Sequence, residues 1–365
     1  MNTKNNARLD YLDVLRGWAA IAVCVQHILG YVYHTYNSTH PMYSSVKFIV
    51  AESVDLGRFG VILFFLISGF IIPNSLKPGA GALKKFFISR FFRLYPAYWA
   101  TLLLILISVA SFESSQRQYS NFDIFANATM MPKLFGINEM SGVFWTLFIE
   151  LVFYGCCVIL FRLKLLDKAW AVGLIAISMN LTTPVAIGLN KIFQLQLPVQ
   201  FILFHLSFLF AGNLLRLAFV QKNKTAGWFA CAYILLNFLT VPISSGIIFP
   251  VPAAIEKGFV MFTPEAVIYA YILAVAIFIF SIAYKSLNSR IVSGLGEISY
   301  SLYLMHMLCF AFVAKFISPE TVYGFFIYIA VSSILCYMVA KLSFNLIENT
   351  AVVFGRQLVK SRGYA

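Results

Sequence analysis

Charge is what this chain has least of. Of its 365 residues only 11% are charged, against about a quarter in an ordinary soluble domain, too few to cover a globule. Acidic residues are scarcest, 14 against 27 basic ones, and they form no D-x-D pair. Asp10 and Asp13 come nearest to one, at the edge of the first apolar run. That speaks against a glycan transferase built around a metal-bound sugar nucleotide. The six cysteines (Cys24, Cys156, Cys157, Cys231, Cys309 and Cys336) lie inside apolar runs with no metal-ligand spacing. They read as small buried apolar residues, and no metal is expected. There is no long polar segment to make a soluble domain, no low-complexity tract, and no internal repeat of the kind common in secondary transporters.

What is present is apolar: 61% of the residues, with a mean hydropathy of +0.83. Runs long enough to cross a bilayer fall at about 11–35, 56–73, 93–112, 142–161, 169–188, 198–219, 226–248, 266–284, 296–317 and 322–346. A basic, aromatic stretch from Lys84 to Arg93 reads as a membrane-surface helix ahead of the third run. The longest loop, 113–141, has a half-apolar part at 122–137 suited to the membrane face. The first run contains Arg16 and no A-x-A-like site, so it reads as a retained span and not a signal peptide.

The net charge of +13 would suggest nucleic acid in a soluble protein. Here basic residues that hold short loops on the cytoplasmic side account for it better, and no nucleic-acid partner is expected. With the N-terminus inside, the outer segments carry seven basic residues: Lys47, Arg58, Arg117, Lys133, Lys191, Lys257 and Lys315. Arg16 and Lys341 fall within spans, and the other eighteen, among them Lys4 and Arg8, are inside. The fold expected is therefore an all-α integral membrane protein of ten transmembrane helices, with both termini cytoplasmic and one domain over 1–365.

Ionisable residues inside the runs are the candidates for function, because an unpaired charge at the bilayer centre costs roughly 2.5–3.5 kcal/mol on insertion scales. Arg16 and His27 share the first run. Eleven residues at about 100° each bring them to one helix face, about 16 Å apart along the axis. Such a face can hold an anion at one end and handle a proton at the other. A snorkelling arginine and a hydrogen-bonded histidine would look the same. Arg90 and Arg93 lie one turn apart, as headgroup anchors on membrane lipid or as a clamp on phosphate. Glu150 falls near the middle of the fourth run and needs a partner or water. Ser299, Tyr303 and His306 share a face of the ninth run. His205 reads as a structural buried histidine. Ser68 and Gly69 form a small pair that lets helices approach closely, and the Ser68 hydroxyl can also orient a ligand. Glu348, near the inner end of the tenth run, is expected to pair with an inner-surface arginine.

Taken in order, the segments LRGWAAIAVCVQH, FFLISGF, RFFRLYP, WTLFIELVFY and ISYSLYLMH resemble the acyltransferase-3 family of membrane O-acyltransferases. Each is weak alone; the order and spacing, from residue 9 to 306, make the resemblance specific. It implies ten transmembrane helices, in agreement with the runs. It implies a cytoplasmic acyl-CoA donor, usually acetyl-CoA, and an acceptor hydroxyl outside the membrane, most often on a polysaccharide or glycolipid of the cell envelope. It also implies a bacterial plasma membrane. By motif, Arg16 and His27 match the family's essential pair. Arg90 and Arg93 match its RxxR near the CoA phosphates, and Glu150 with Tyr154 match its fourth-span motif. Many relatives carry an SGNH hydrolase-like domain; this chain resembles the stand-alone members. Relatives often follow the late glutamate with Lys-Pro, whereas Asn349 and Thr350 follow Glu348 here.

The residues and the resemblance together predict an O-acetyltransferase. His27 is expected to act as general base or as a transient acyl carrier, Arg16 to draw in the donor, and Glu150 to orient or balance the histidine. Ser68, Tyr154, Tyr303 and His306 are further candidates. A proton-coupled transporter that uses the same buried Arg, Glu and His is the alternative. The choice of acceptor and of short acyl group, and the oligomeric state, are not written in these residues.

Overall fold

The computed structural model describes residues 10–35, 40–112, 119–195, 197, 201–245, 262–285 and 287–364. Lys4, Arg8, Arg117 and Lys257 of the charge count lie outside the described residues. Those residues hold helices and no strand, as lipid requires. A segment surrounded by hydrocarbon must satisfy every backbone N–H and C=O within itself or within a closed barrel.

In chain order the α-helices are α1 (Asp10–Thr35), α2 (Tyr43–Lys47), α3 (Leu56–Ile71), α4 (Ala82–Phe112), α5 (Asn121–Ala128), α6 (Trp145–Arg162), α7 (Ala169–Phe193), α8 (Phe201–Phe219), α9 (Lys224–Ser244), α10 (Pro264–Tyr284), α11 (Arg290–Glu297), α12 (Ser299–Ala314), α13 (Val322–Ser343) and α14 (Asn349–Ser361). π-Helical turns, Phe48–Ser53 and Phe344–Glu348, precede α3 and α14. Among the described residues nine helical stretches are long and apolar enough to cross a membrane, or ten when α11 and α12 count as one span broken at Ile298. This is a multi-pass membrane protein. The segment from Lys84 to Arg93 is not a separate surface helix. It is continuous with α4, because neither a glycine nor an effective cap interrupts it, and Pro96 is accommodated within the helix.

The chain divides into two compact units. The first comprises 1–74, 153–297 and 319–325 and the second comprises 75–152, 298–318 and 326–365. In the first unit, close approach of helices depends on missing side chains. A Cβ on Gly69 of α3 would run into the Leu209 backbone of α8, and one on Gly212 of α8 would run into Leu66 of α3. The two helices thus meet backbone to backbone, the geometry that small residues allow between helices in lipid. Gly60 of α3 likewise lies against Ala19 and Val23 of α1, and Gly17 of α1 against Val292 of α11.

Polar groups reinforce the same unit. The amide of Asn180 on α7 donates to the Ser207 hydroxyl of α8 (3.3 Å) and to Asn237 of α9 (3.3 Å), while its oxygen accepts from Thr240 (2.7 Å). Arg216, which charge counting assigned to a loop, is a buried α8 residue. It pairs with Asp167, donates to Asn213 and reaches Asn74 at 3.2 Å.

The second unit is built on α4. Tyr98, Trp99 and Tyr95 donate to the carbonyls of Asn127 (2.7 Å), Ala128 (2.9 Å) and Thr129 (3.0 Å). Three aromatic donors thereby satisfy orphan carbonyls at the end of α5. At its other end α5 is closed by a capping box between Ser120 and Asp123. α14 packs on α4 with Gly355 against Phe92, and Phe92 meets Phe354 edge-on at 5.3 Å.

Substituting Gly69 with Ala is expected to lower the melting temperature of detergent-solubilised protein, at a cost of about 1–3 kcal/mol for overpacking. Gly155→Ala is the control, since a Cβ there meets nothing within 4 Å. Equal melting temperatures for the two variants would contradict the backbone contact between α3 and α8.

Candidate active site

In the first unit the polar side chains gather where α1, α3, α8 and α10 pack. Arg16 and His27 are both half-buried on α1. Arg16 is paired along its own helix, with Nη1 3.2 Å from Asp13 Oδ1. Gln26, buried beside His27 in sequence, ties α1 to the start of α3. Its Nε2 donates to the Val50 carbonyl at 3.1 Å and its Oε1 accepts from Leu56 N at 3.2 Å.

The turn it holds carries Asp55, which is 2% exposed. Asp55 caps α3: Oδ1 accepts from Arg58 N at 2.8 Å, and Oδ2 takes the Arg58 guanidinium. Its own N–H donates to Ala266 O of α10 at 3.1 Å. Arg58 itself lies over the Phe262 ring at 5.3 Å.

Tyr271 of α10 meets His205 Nε2 at 3.1 Å, while His205 Nδ1 lies 2.8 Å from Phe201 O. With both ring nitrogens engaged and the residue buried, His205 is a fixed part of this wall. Ser68 is half-buried on α3, and Tyr154 is buried on α6.

In the second unit Arg93 of α4 reaches Glu348. Nη1 lies 2.6 Å from Oε1, and the carboxylate is fully buried. The other oxygen of Glu348 accepts from Ser301 Oγ of α12 at 2.7 Å. Tyr300 lies under the Arg93 guanidinium at 6.0 Å and donates to Leu94 O. The side chain of Arg93 remains 30% exposed, and its other N–H groups make no hydrogen bond among the described residues. Arg90, one turn earlier, lies over the Phe86 ring at 5.7 Å.

On α12, Ser299, Tyr303 and His306 are all buried. The rings of Tyr303 and His306 are 5.9 Å apart. The Tyr303 hydroxyl shares a hydrogen bond with Thr146 at 2.8 Å and donates to Val143 O. Glu150 lies one turn past Thr146 on α6, the sixth of the 18 residues of that helix and just short of its middle.

Within each unit, then, the structure joins Arg93 with Glu348 and Ser301, and Tyr303 with His306 and Glu150. At the turn that Gln26 holds against α1 it places two residues that sequence reasoning did not select, Asp55 and Arg58. Arg58 was counted among the basic residues of the outer segments, and Asp55 was not singled out. Their signal was local: an aspartate three residues ahead of an arginine, opening an apolar run, is an N-cap followed by a charge partner.

Each unit of this multi-pass helical protein thus holds its own buried cluster of ionisable side chains. The comparisons identify its family. The family model described as "Acyltransferase domain" matches residues 9–341, and the chain belongs to this acyltransferase-3 family. It is an acyltransferase. It is similar to "Putative acetyltransferase ORF330" of Acidianus two-tailed virus, 26% identical over 80% of this chain and 81% of that one. It is also similar to "Nodulation protein 10" of Rhizobium leguminosarum bv. viciae, 26% identical over 42% of this chain; the match spans 44% of the nodulation protein. No solved structure matches it.

The Arg93–Glu348 geometry sets an order of stabilities. Arg93→Ala removes the cation at Oε1 of a fully buried carboxylate, whereas Glu348→Gln leaves a guanidinium that still reaches solvent. Removing one partner of a buried pair so that the other charge stays buried costs about 3–5 kcal/mol. The expected order of melting temperature is wild type, then Glu348→Gln, then Arg93→Ala, with the double variant above Arg93→Ala. A double variant no more stable than Arg93→Ala would show that the pair is not coupled.

Proposed function

We propose that the protein moves a short acyl group, acetyl by family resemblance, from cytoplasmic acyl-CoA to a hydroxyl of an extracytoplasmic carbohydrate or glycolipid. The observation that carries this reading is the family match over residues 9–341; Arg16 and His27, which α1 carries, are matched to the family's pair by resemblance.

His27 is the base. A neutral imidazole removes the proton from the acceptor hydroxyl. The oxygen attacks the thioester carbonyl, the C–S bond breaks, and the imidazolium returns the proton to the departing CoA thiolate. In the other route the imidazole itself takes the acyl group and passes it to the acceptor.

Arg90 and Arg93 are assigned to the CoA phosphates, for which guanidinium is the better partner of the two basic groups. The N–H groups of Arg93 that Glu348 leaves unused support this assignment. Arg16 is assigned to drawing in the donor. Glu150, with Tyr303 beside it, is assigned to balancing charge during transfer, and Ser68, Tyr154 and His306 to shaping the path. The positive-inside bias supports cytoplasmic termini, and family resemblance supports a bacterial plasma membrane.

Purified wild type given radiolabelled acetyl-CoA and cell-envelope glycan is expected to bind the donor and turn it over. His27→Ala is expected to remain in the membrane, bind donor and lose turnover by about 10²–10⁴-fold. Full turnover in that variant would remove His27 from the chemistry. Absence of any CoA binding in wild type would overturn the acyltransfer reading in favour of transport, to be pursued by flux assays.

A further inference from the structure

The basic, aromatic stretch from Lys84 to Arg93 acquires a neighbour in the folded chain. α14 packs along the start of α4, with Gly355 against Phe92, the Phe92 and Phe354 rings 5.3 Å apart, and Tyr364 seated on Gly81. The Lys84 ammonium lies over the Tyr364 ring at 5.6 Å. Bonds from Arg362 N, Gly363 N and Tyr364 N to the carbonyls of Leu358, Lys360 and Val359 close the turn that brings Tyr364 there. Both helices belong to the second unit, so basic residues from two distant stretches of sequence form one surface.

Charge on that surface is of one sign. Lys77, Lys84, Lys85, Arg356, Lys360 and Arg362 are exposed. None of the six forms an ion pair among the described residues. Residues 75–112 contain no acidic residue, and the one in 326–364, Glu348, is buried against Arg93. On α14 the buried residues Gly355 and Val359 turn toward α4. Arg356 and Lys360, each one residue further on, stand on the flank that this packing leaves open. Like charges gathered without a counter-charge repel one another, and an external anion removes that cost.

Apolar side chains stand beside these cations. Lys84, Phe87, Phe91 and Tyr95 fall on one face of α4, by helical periodicity. Phe87 is 56% exposed and Phe91 39%, and Phe354 of α14 is 54% exposed. At 1.5 Å per residue Lys84 stands about 10 Å from Phe91 along the axis. That spacing sets the ammonium among headgroups when the ring lies in hydrocarbon. Rings against acyl chains and cations against phosphate are the two contacts of an interfacial lipid site. A choline or ethanolamine headgroup would bring its own cation to a surface with no exposed carboxylate to receive it, whereas a headgroup of net negative charge would not.

We propose that the surface formed by α14 and the start of α4 binds anionic phospholipid, with Lys84, Lys85, Arg356 and Lys360 on the headgroup and Phe87 and Phe91 on the acyl chains. Arg90 and Arg93 are not part of it: one lies over the Phe86 ring and the other is paired with Glu348.

The test titrates the full-length protein in neutral detergent with fluorescent phosphatidylglycerol and, separately, with fluorescent phosphatidylcholine. Wild type is expected to prefer phosphatidylglycerol. Lys84→Gln combined with Lys360→Gln is expected to weaken phosphatidylglycerol binding by about fivefold per cation removed at low ionic strength. Lys222→Gln combined with Lys224→Gln, which removes two exposed cations of the first unit, is expected to change it little. Lys85→Gln with Arg356→Gln repeats the test at the same surface should the first pair fail to accumulate. Equal binding of the two lipids by wild type, or an equal loss in the α4–α14 pair and the first-unit pair, would overturn the proposal. Displacement of the lipid by inorganic phosphate or CoA at the lipid's own concentration would also overturn it, and would assign the surface to a soluble anion.

Discussion

A polar group inside this protein has no water to fall back on. In lipid the alternatives to an internal partner are an uncompensated dipole or charge, each costing several kcal/mol. Most of the arrangement described above follows from that constraint. Arg216 enters the core because Asp167, Asn213 and Asn74 meet it. Asn180 lies among α7, α8 and α9 because four polar side chains surround it. Glu348 is fully buried with each oxygen engaged.

Two kinds of charge placement can be separated by what they fix. Arg216 and Asn180 are bound to several partners apiece, and they fix the relation of neighbouring helices. The Arg93–Glu348 pair is different. Arg93 is held at one nitrogen, its plane lies over Tyr300, and part of it reaches solvent. A guanidinium whose position is set by a buried carboxylate, with donors to spare, is prepared to receive a second anion without giving up the first. Glu348 thus serves the proposed phosphate contact by fixing Arg93, whatever residues follow it. The departure of Asn349 and Thr350 from the family's usual pair leaves this ion pair intact.

Much of the fold could be read directly from the sequence, because the bilayer sets the length of each run and the chain has few charges to blur the edges. Nine of the ten apolar runs correspond to single helical stretches, and the tenth, at 296–317, to the broken pair α11 and α12. That break at Ile298 was not visible, since no proline marks it and the glycine before it also serves close packing, as Gly296 does against Asp13. The Lys84–Arg93 stretch was read as a separate helix because its composition changes there. Helix continuity depends on caps and breakers, and composition alone did not supply one.

The candidate site was legible in part for a similar reason. Arg16 and His27 lie on one helix, so periodicity alone puts them on one face. Asp55 lies on another helix, 28 residues further along the chain than His27, and only tertiary packing joins them. It was also obscured by its position, since acidic residues at span ends usually face water. Here Gln26 turns that helix start inward by bonding Leu56 N and Val50 O. An uncharged amide on α1, with no chemistry of its own to attract notice, thus fixes the turn that carries Asp55. A search confined to ionisable residues within apolar runs passes over such a residue, because what distinguishes it is the backbone it holds.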